Sequence, residues 1–226
     1  MSILSSLCCP LCSSQDVNGY HQDSRRNYFQ CHVCQLVFVD PQQRLNAEQE
    51  KSEYDLHQNN SADQGYRQFL NRLYQPMLRQ LPSCANGLDF GCGPGPTLSL
   101  MFEEAGHTMA IYDPFYFNDK AVLTVPYDFI TATEVMEHVY QPKQILEQLW
   151  QCLKPGAVLG LMTKLVTDQD GFSRWHYKND LTHVCFYSEK TFTFLASALQ
   201  AELSIIGNDV IILRKNKSSE CGSLGF

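Results

Sequence analysis

Two groups of residues in this chain have types and spacings suited to chemistry. Asp89, Gly91, Gly93 and Gly95 alternate along Leu88-Asp89-Phe90-Gly91-Cys92-Gly93-Pro94-Gly95, between an apolar run and a helical one from Leu98 to Ala105. Glycine has no Cβ, so the backbone turns tightly there and a ligand can lie against it. Pro96 suits a first helical turn, where its missing N–H is no loss. A helix start also offers unpaired N–H groups to a ligand, so the stretch reads as a nucleotide-type binding turn. The second group is Cys9-Pro10-Leu11-Cys12 and Cys31-His32-Val33-Cys34, two C-x2-C knuckles with 18 residues between them. Thiolates three positions apart grip one side of a tetrahedral ion and a second pair closes it. Cys9, Cys12, Cys31 and Cys34 are therefore the expected ligands of a structural zinc ribbon, with no open position for catalysis. Cys8 and His32 are adjacent competitors, but the spacing favours Cys9 and the cysteine set. A redox pair fits neither knuckle, since no thioredoxin-like unit surrounds it. A third stretch, Arg174 to Val184, is crowded with groups that move protons or stack on rings. Neutral imidazole can take a proton near pH 7. His183 is the first candidate base and His176 the second; either also fits a histidine bonded to backbone in a packed loop. His138 reads as helix-side structure.

The glycine turn admits two chemistries. The dinucleotide fingerprint G-x-G-x-x-G ends on Pro96 counted from Gly91 and on Leu98 counted from Gly93, so both registers fail. D-x-G-x-G-x-G is met at every position by Asp89, Gly91, Gly93 and Gly95. That pattern resembles motif I of the class I S-adenosylmethionine-dependent methyltransferases. The methionine end of that cofactor carries an ammonium and a sulfonium, which accept a neighbouring acid such as Asp89; a pyrophosphate would not.

The elements that must position these residues follow from periodicity. Apolar residues from Tyr66 to Leu81 recur at helical spacing, with Pro76 expected to kink the helix. His107 to Tyr112 reads as a strand ending in Asp113. An acid there, about 20 residues past the glycines, can accept both hydroxyls of a ribose. Pro114 to Pro126 is too short for a full helix and strand, so that unit is expected to be abbreviated, with Phe115 flanking the adenine. Tyr127 to Ala132 is a strand leading to Thr133 and Glu134; Pro142 opens a helix that Lys154-Pro155-Gly156 closes, and Val158 to Met162 is the next strand. A helix from Glu189 to Leu199 and a hairpin turning at Gly207-Asn208-Asp209 complete the chain. Alternating strands and helices with short joints give a doubly wound, mainly parallel sheet, whose ligands sit beyond the carboxyl ends of the strands. Gly91, Asp113, Thr133, Glu134 and Lys164 should then surround one crevice. Residues 41 to 65 are polar; within them Tyr54 and His57, at i and i+3, fit either a surface helix turn or a segment over the cofactor, with Tyr54 at its carboxylate.

Asp89 to Gly95, Asp113, the run Tyr127 to Val139 and the Leu-Lys-Pro-Gly-Ala joint together resemble class I methyltransferases of the ubiquinone-biosynthesis O-methyltransferase type. The two cysteine knuckles, with Gln-Leu-Val-Phe-Val-Asp-Pro after the second, resemble the zinc ribbon fused to many bacterial members of that superfamily. The likeness covers most of residues 8 to 215. It implies an α/β fold with a seven-stranded-type sheet and a small N-terminal ribbon. It divides the chain into ribbon (1–40), linker and covering helix (41–81), methyltransferase domain (82–215) and loose tail (216–226). It further implies S-adenosylmethionine as cofactor beside structural zinc, with Asp89, Gly91, Cys92, Gly93, Gly95, Asp113, Phe115, Thr133, Glu134 and Tyr54 around the cofactor.

Composition narrows the partners. The chain has 226 residues and a formal net charge of −7, which argues against a polyanion binder such as nucleic acid. No apolar run approaches the ~18 residues of a membrane span, and Met1-Ser2-Ile3-Leu4 lacks the start of a signal peptide. Ten cysteines without an export signal favour reduced thiols or metal, hence an expected cytoplasmic location. The expected activity is methyl transfer to a small-molecule acceptor, with a hydroxyl oxygen considered first. An RNA or protein methyltransferase using the ribbon as a grip, and a non-catalytic cofactor-binding module, remain alternatives.

Overall fold

In the computed structural model, which describes residues 7–55 and 60–217, the chain alternates strand and helix from residue 86 onward. In chain order the elements are β1 (Val17–Gln22), β2 (Asn27–Cys31), β3 (Val37–Val39), α1 (Ala47–Tyr54), α2 (Gln64–Leu78), β4 (Asn86–Phe90), α3 (Thr97–Glu104) and β5 (Thr108–Tyr112). They continue with β6 (Tyr127–Thr133), α4 (Pro142–Gln151), β7 (Leu153–Met162), α5 (Gln169–Ser173), β8 (Cys185–Phe186), α6 (Glu189–Ala198), β9 (Glu202–Ile206) and β10 (Val210–Arg214). His57 and nearly all of the 216–226 segment lie outside the described residues.

The main sheet has six strands in the order β5-β4-β6-β7-β10-β9. The first four run parallel; β10 is antiparallel to both β7 and β9. The expected mainly parallel, Rossmann-like sheet is therefore present. Between β5 and β6 the chain makes only a bridge, Asp113 to Phe117, and a 3-10 turn, Lys120–Thr124. That abbreviation leaves six strands where seven would otherwise stand.

Helix α2 lies on one face of this sheet through Leu70, Leu73 and Met77. Each such side chain contributes about 1.5–3 kcal/mol by leaving water. The contact needs a bare backbone beneath it: a Cβ on Gly160 of β7 would sit 2.6 Å from Met77 Sδ and 3.1 Å from Leu73 Cδ1. Pro76 falls inside α2, which continues to Leu78 and caps at Arg79. Beneath the other face the apolar core runs without a break into the N-terminal module.

That module is a four-stranded antiparallel sheet, β1-β2-β3-β8. Its fourth strand comes from far along the chain, with Val37 opposite Phe186 and Phe38 opposite Cys185. Tyr28, Phe172 and Phe186 pack edge to face at the junction, with ring centroids 5.1–6.0 Å apart. The polar 41–65 stretch contains α1, which buries no residue and starts on a capping box of Asn46 and Gln49. Among the described residues no helix is long and apolar enough to cross a membrane.

Candidate functional site

A cavity of about 630 Å³ opens at the carboxyl ends of β4, β5 and β6, where a doubly wound sheet holds its ligands. Its floor is the glycine turn. Gly91 and Gly93 have φ of +73° and +63°, a region that L side chains avoid. A Cβ on Gly91 would also stand 2.4 Å from Val135 Cγ2. The turn is tied to the next strand: Gly91 N and Cys92 N both donate to Tyr112 O, at 2.7 and 3.2 Å.

Asp113 completes this side. Its Oδ2 accepts from Gly93 N at 3.0 Å, and its Oδ1 accepts from Phe115 N and Tyr116 N at 2.9 and 3.2 Å. One carboxylate thus fixes the glycine turn and the 114–117 turn against each other, and Asp113 and Phe115 both line the cavity. Gly91, Cys92, Gly93, Thr133, Glu134 and Tyr54 line it as well. Thr133 Oγ1 is buried and makes no hydrogen bond within the described residues. Such an orphaned polar atom costs free energy until something pairs with it. Tyr54, the last residue of α1, closes over the top; its ring lies 5.6 Å from Phe115 and 5.3 Å from His138, and its hydroxyl donates to Glu50.

Four expected residues, Asp89, Gly95, Lys164 and His176, are not brought to the cavity wall. Asp89 is 4% exposed and turned inward, accepting from Thr131 Oγ1 at 2.8 Å and Ser99 Oγ at 3.1 Å. Burial raises its carboxyl to about 6, against the pull of those two hydroxyls. It fastens β4 to α3 and β6 under the turn and is not among the residues that line the cavity. Gly95 is occupied with α3, its carbonyl accepting from Thr97 N at 2.7 Å. His176 is exposed, with Nε2 3.4 Å from Lys164 Nζ. The 3-10 turn His176–Asn179 points Tyr177 inward instead, and Lys164 lies over the Tyr177 ring, outside the crevice.

His183 does line the cavity and is 7% exposed. Its Nδ1 lies 2.7 Å from Tyr177 O. A carbonyl only accepts, so Nδ1 carries the proton and Nε2 keeps the lone pair of the neutral ring. Nε2 is 3.7 Å from Asp180 Oδ2. Burial pushes the His183 pKa down, with Asp180 and the Tyr177 carbonyl opposing. Around it stand residues that periodicity did not single out. Glu137 is fully buried, accepts from the Tyr177 hydroxyl on Oε1 and, within the described residues, makes no hydrogen bond on Oε2. Burial, then the charge of Glu134, raises Glu137 to about 8. The His138 and His183 rings meet with centroids 4.6 Å apart. One ligand atom from each of Glu137, His138 and His183 lies within 4.8 Å of the others, a donor set fit for a divalent cation. The i, i+3, i+4 spacing of Glu134, Glu137 and His138 is the signal that could have found this group; the sequence reading takes Glu134 for the cofactor and His138 for helix-side structure.

The cysteine group is equally tight. Cys9 Sγ is 3.4 Å from Cys34 Sγ, Cys12 Sγ is 3.5 Å from Cys31 Sγ, and all four sulfurs lie within 4.8 Å of one another. Tetrahedral zinc with ~2.3 Å bonds sets its sulfurs about 3.8 Å apart, so the group fits such an ion.

Residues 57–203 match the family model described as "Methyltransferase domain". Among curated proteins no match was found. Among solved structures, a Burkholderia thailandensis 1,6-didemethyltoxoflavin-N1-methyltransferase, with bound 1,6-didemethyltoxoflavin and S-adenosylhomocysteine, is 14% identical with a TM-score of 0.53. That alignment covers 88% of this chain and 99% of the other. A SAM-dependent methyltransferase from Archaeoglobus fulgidus is 16% identical with a TM-score of 0.51, over 66% of this chain and 94% of its own. At such identities the likeness is one of fold.

Proposed function

The chain belongs to the methyltransferase-domain family, and from that premise we propose that it uses S-adenosylmethionine to methylate a hydroxyl oxygen of a small molecule. In this reading the cofactor lies along Gly91, Cys92 and Gly93, with its ribose on Asp113, its adenine beside Phe115, and Thr133 and Glu134 on the sulfonium side. When bound it supplies a methyl carbon on a sulfonium, which departs as a neutral thioether. Methyl transfer of this kind needs alignment and, for a hydroxyl, a base. The observation that carries the reading is the His183 tautomer: Nδ1–H is held on the Tyr177 carbonyl, so Nε2 is free to take the acceptor's proton. Asp180, close to Nε2, then stabilises the imidazolium. Glu50, Glu134 and Asp180 give the cavity acidic walls, which suit a neutral or cationic acceptor over a carboxylate or phosphate. The N1-methyltransferase of similar fold was solved with a small molecule bound, which supports an acceptor of that size. Residues 1–40 serve as a zinc ribbon on Cys9, Cys12, Cys31 and Cys34, 41–81 as linker and cover, and 82–215 as the catalytic domain.

Calorimetric titration with S-adenosylmethionine tests the cofactor half: saturable one-to-one binding is expected, and none at millimolar cofactor would overturn the reading. A screen of hydroxyl-bearing small molecules with radiolabelled methyl donor tests the acceptor; label appearing only in RNA or protein would replace it with the macromolecular alternative.

A second reading is favoured by the unpaired Glu137 Oε2 amid two imidazoles. There Glu137, His138 and His183 hold a divalent cation, which supplies a Lewis acid to the acceptor oxygen. Turnover abolished by a chelator and restored by magnesium or manganese would select it; turnover indifferent to both would leave His183 as the base.

A further inference from the structure

Arg26 immediately precedes the β2 strand of the cysteine ribbon, yet it is 3% exposed and faces the loop that carries His183. A buried guanidinium must satisfy five N–H donors, and here all five are spent. Nε donates to Tyr28 Oη at 3.3 Å. Nη1 donates to Leu181 O and His183 O, both at 3.0 Å. Nη2 donates to Lys178 O and, at 3.0 Å, to Asp180 O. Four carbonyls within six consecutive residues therefore converge on one side chain from the ribbon. Around it Asp23 accepts from Arg25 N, Arg26 N, the Tyr28 hydroxyl and Lys178 Nζ. Arg25 reaches Asn179 from the exposed rim.

The loop so gripped is the acceptor wall. Asp180 and His183 line the cavity, and the His183 carbonyl bound by Arg26 belongs to the same residue whose ring stands over it. One residue on, Val184 donates its N–H to Glu137 O and accepts from Val39 N of β3, at 2.7 and 2.9 Å. The ribbon thus touches this wall through a side chain and through a strand. The 174–184 stretch has little regular structure of its own, only a 3-10 turn, His176–Asn179. Its carbonyls would otherwise need water or a ladder.

We infer that Arg26 is a positioning residue for methyl transfer: by holding the carbonyls of residues 178, 180, 181 and 183 it sets His183 and Asp180 at the acceptor side of the cavity. This rests on the role of His183 proposed above, and it gives the ribbon a task in the reaction beyond its own stability. A lysine in its place has one head for four carbonyls and cannot span them.

The test uses the full-length, zinc-loaded protein and nitrogen-15 NMR of the histidine rings, with His183 assigned from a His183→Gln variant. In the wild type His183 should show the single Nδ1–H tautomer. In Arg26→Lys, that pattern should give way to an averaged one, while S-adenosylhomocysteine affinity and zinc content stay within about twofold of wild type. Arg25→Gln, which loses only the rim contact to Asn179, should keep the wild-type pattern. An unchanged His183 pattern in folded Arg26→Lys overturns the proposal. Should Arg26→Lys fail to fold, Asp23→Asn loosens the same turn; a smaller displacement of the His183 pattern is expected there, and none overturns the proposal. Failure of the parent reading would appear separately, as a His183→Gln variant that methylates at the wild-type rate, or a wild type that does not bind S-adenosylhomocysteine at all.

Discussion

Where the cavity meets the glycine turn, its wall is backbone held by neighbouring backbone: Gly91 and Cys92 on Tyr112, and Gly93, Phe115 and Tyr116 on one carboxylate. Where it meets His183, the wall is side chains on an irregular loop, held by a guanidinium 157 positions away in sequence. The first wall follows from the doubly wound sheet, because strand ends and a tight turn place its donors. The second exists only once a separate module has docked. Damage to the module should therefore separate the two. Serine at Cys31 removes one of four converging sulfurs. We expect zinc content to fall towards zero and Tm by roughly 10 °C, taking about 3 kcal/mol of lost stability at a few degrees per kcal/mol. Acceptor methylation should disappear, while calorimetry should still find S-adenosylhomocysteine bound within about threefold of wild type. Loss of both together would show that the walls are one unit.

The converse experiment is Asp113→Ala. Three backbone N–H groups lose their acceptor, and so does the proposed ribose contact. A charge-assisted loss of ~2–3 kcal/mol corresponds to about a hundredfold weaker binding of S-adenosylmethionine. The His183 ring signals should not move, since Asp113 touches nothing on that loop among the described hydrogen bonds. A smaller effect is expected from Tyr177→Phe, which removes the hydroxyl from Glu137 and Glu134 and leaves the ring in place. Methylation should slow by about tenfold, the scale of one lost buried hydrogen bond, with cofactor affinity within twofold. An equal fall in both would place Tyr177 on the cofactor wall.

The same division explains what could be read from the chain alone. The glycine turn, Asp113 and the parallel sheet are local: a few residues in one strand–turn–helix unit dictate them, and each appears where the spacing put it. The cysteine knuckles were legible for the same reason, since a fixed interval between ligand pairs is itself the signal. The acceptor wall was legible only in outline. His183 could be named as a proton-accepting group in an irregular stretch, but whether it or His176 faces inward depends on the 3-10 turn that swings Tyr177 into the core. Glu137 and His138 sit in a short 3-10 turn, Met136–His138, where a helix-side place for His138 does not hold. No local pattern announces that Arg26 bonds Leu181 and His183, or that β8 completes the ribbon sheet. Long-range pairing of this kind leaves no interval in the sequence to count.

Asp89 gives the finest test of the cofactor wall. Its place in the motif suggests a charge for the ammonium of the ligand; its hydrogen bonds to Ser99 and Thr131 make it an internal fastening. The two roles differ in their response to pH. Burial raises the carboxyl from 3.8 to about 6 in the folded chain, so the native state binds a proton more tightly than the unfolded one. The stability linked to that proton is fully present below pH ~4 and is lost as pH rises through about 6, amounting to about 3 kcal/mol at most. Asp89→Asn carries no charge at any pH. Its Tm relative to wild type should therefore climb by a few degrees between pH 4.5 and pH 7.5, followed by differential scanning fluorimetry. Its affinity for S-adenosylmethionine should stay within about threefold, because Asp89 is not among the residues that line the cavity. A flat difference in Tm combined with tenfold weaker binding would return Asp89 to the ligand and make the glycine wall depend on charge as well as backbone.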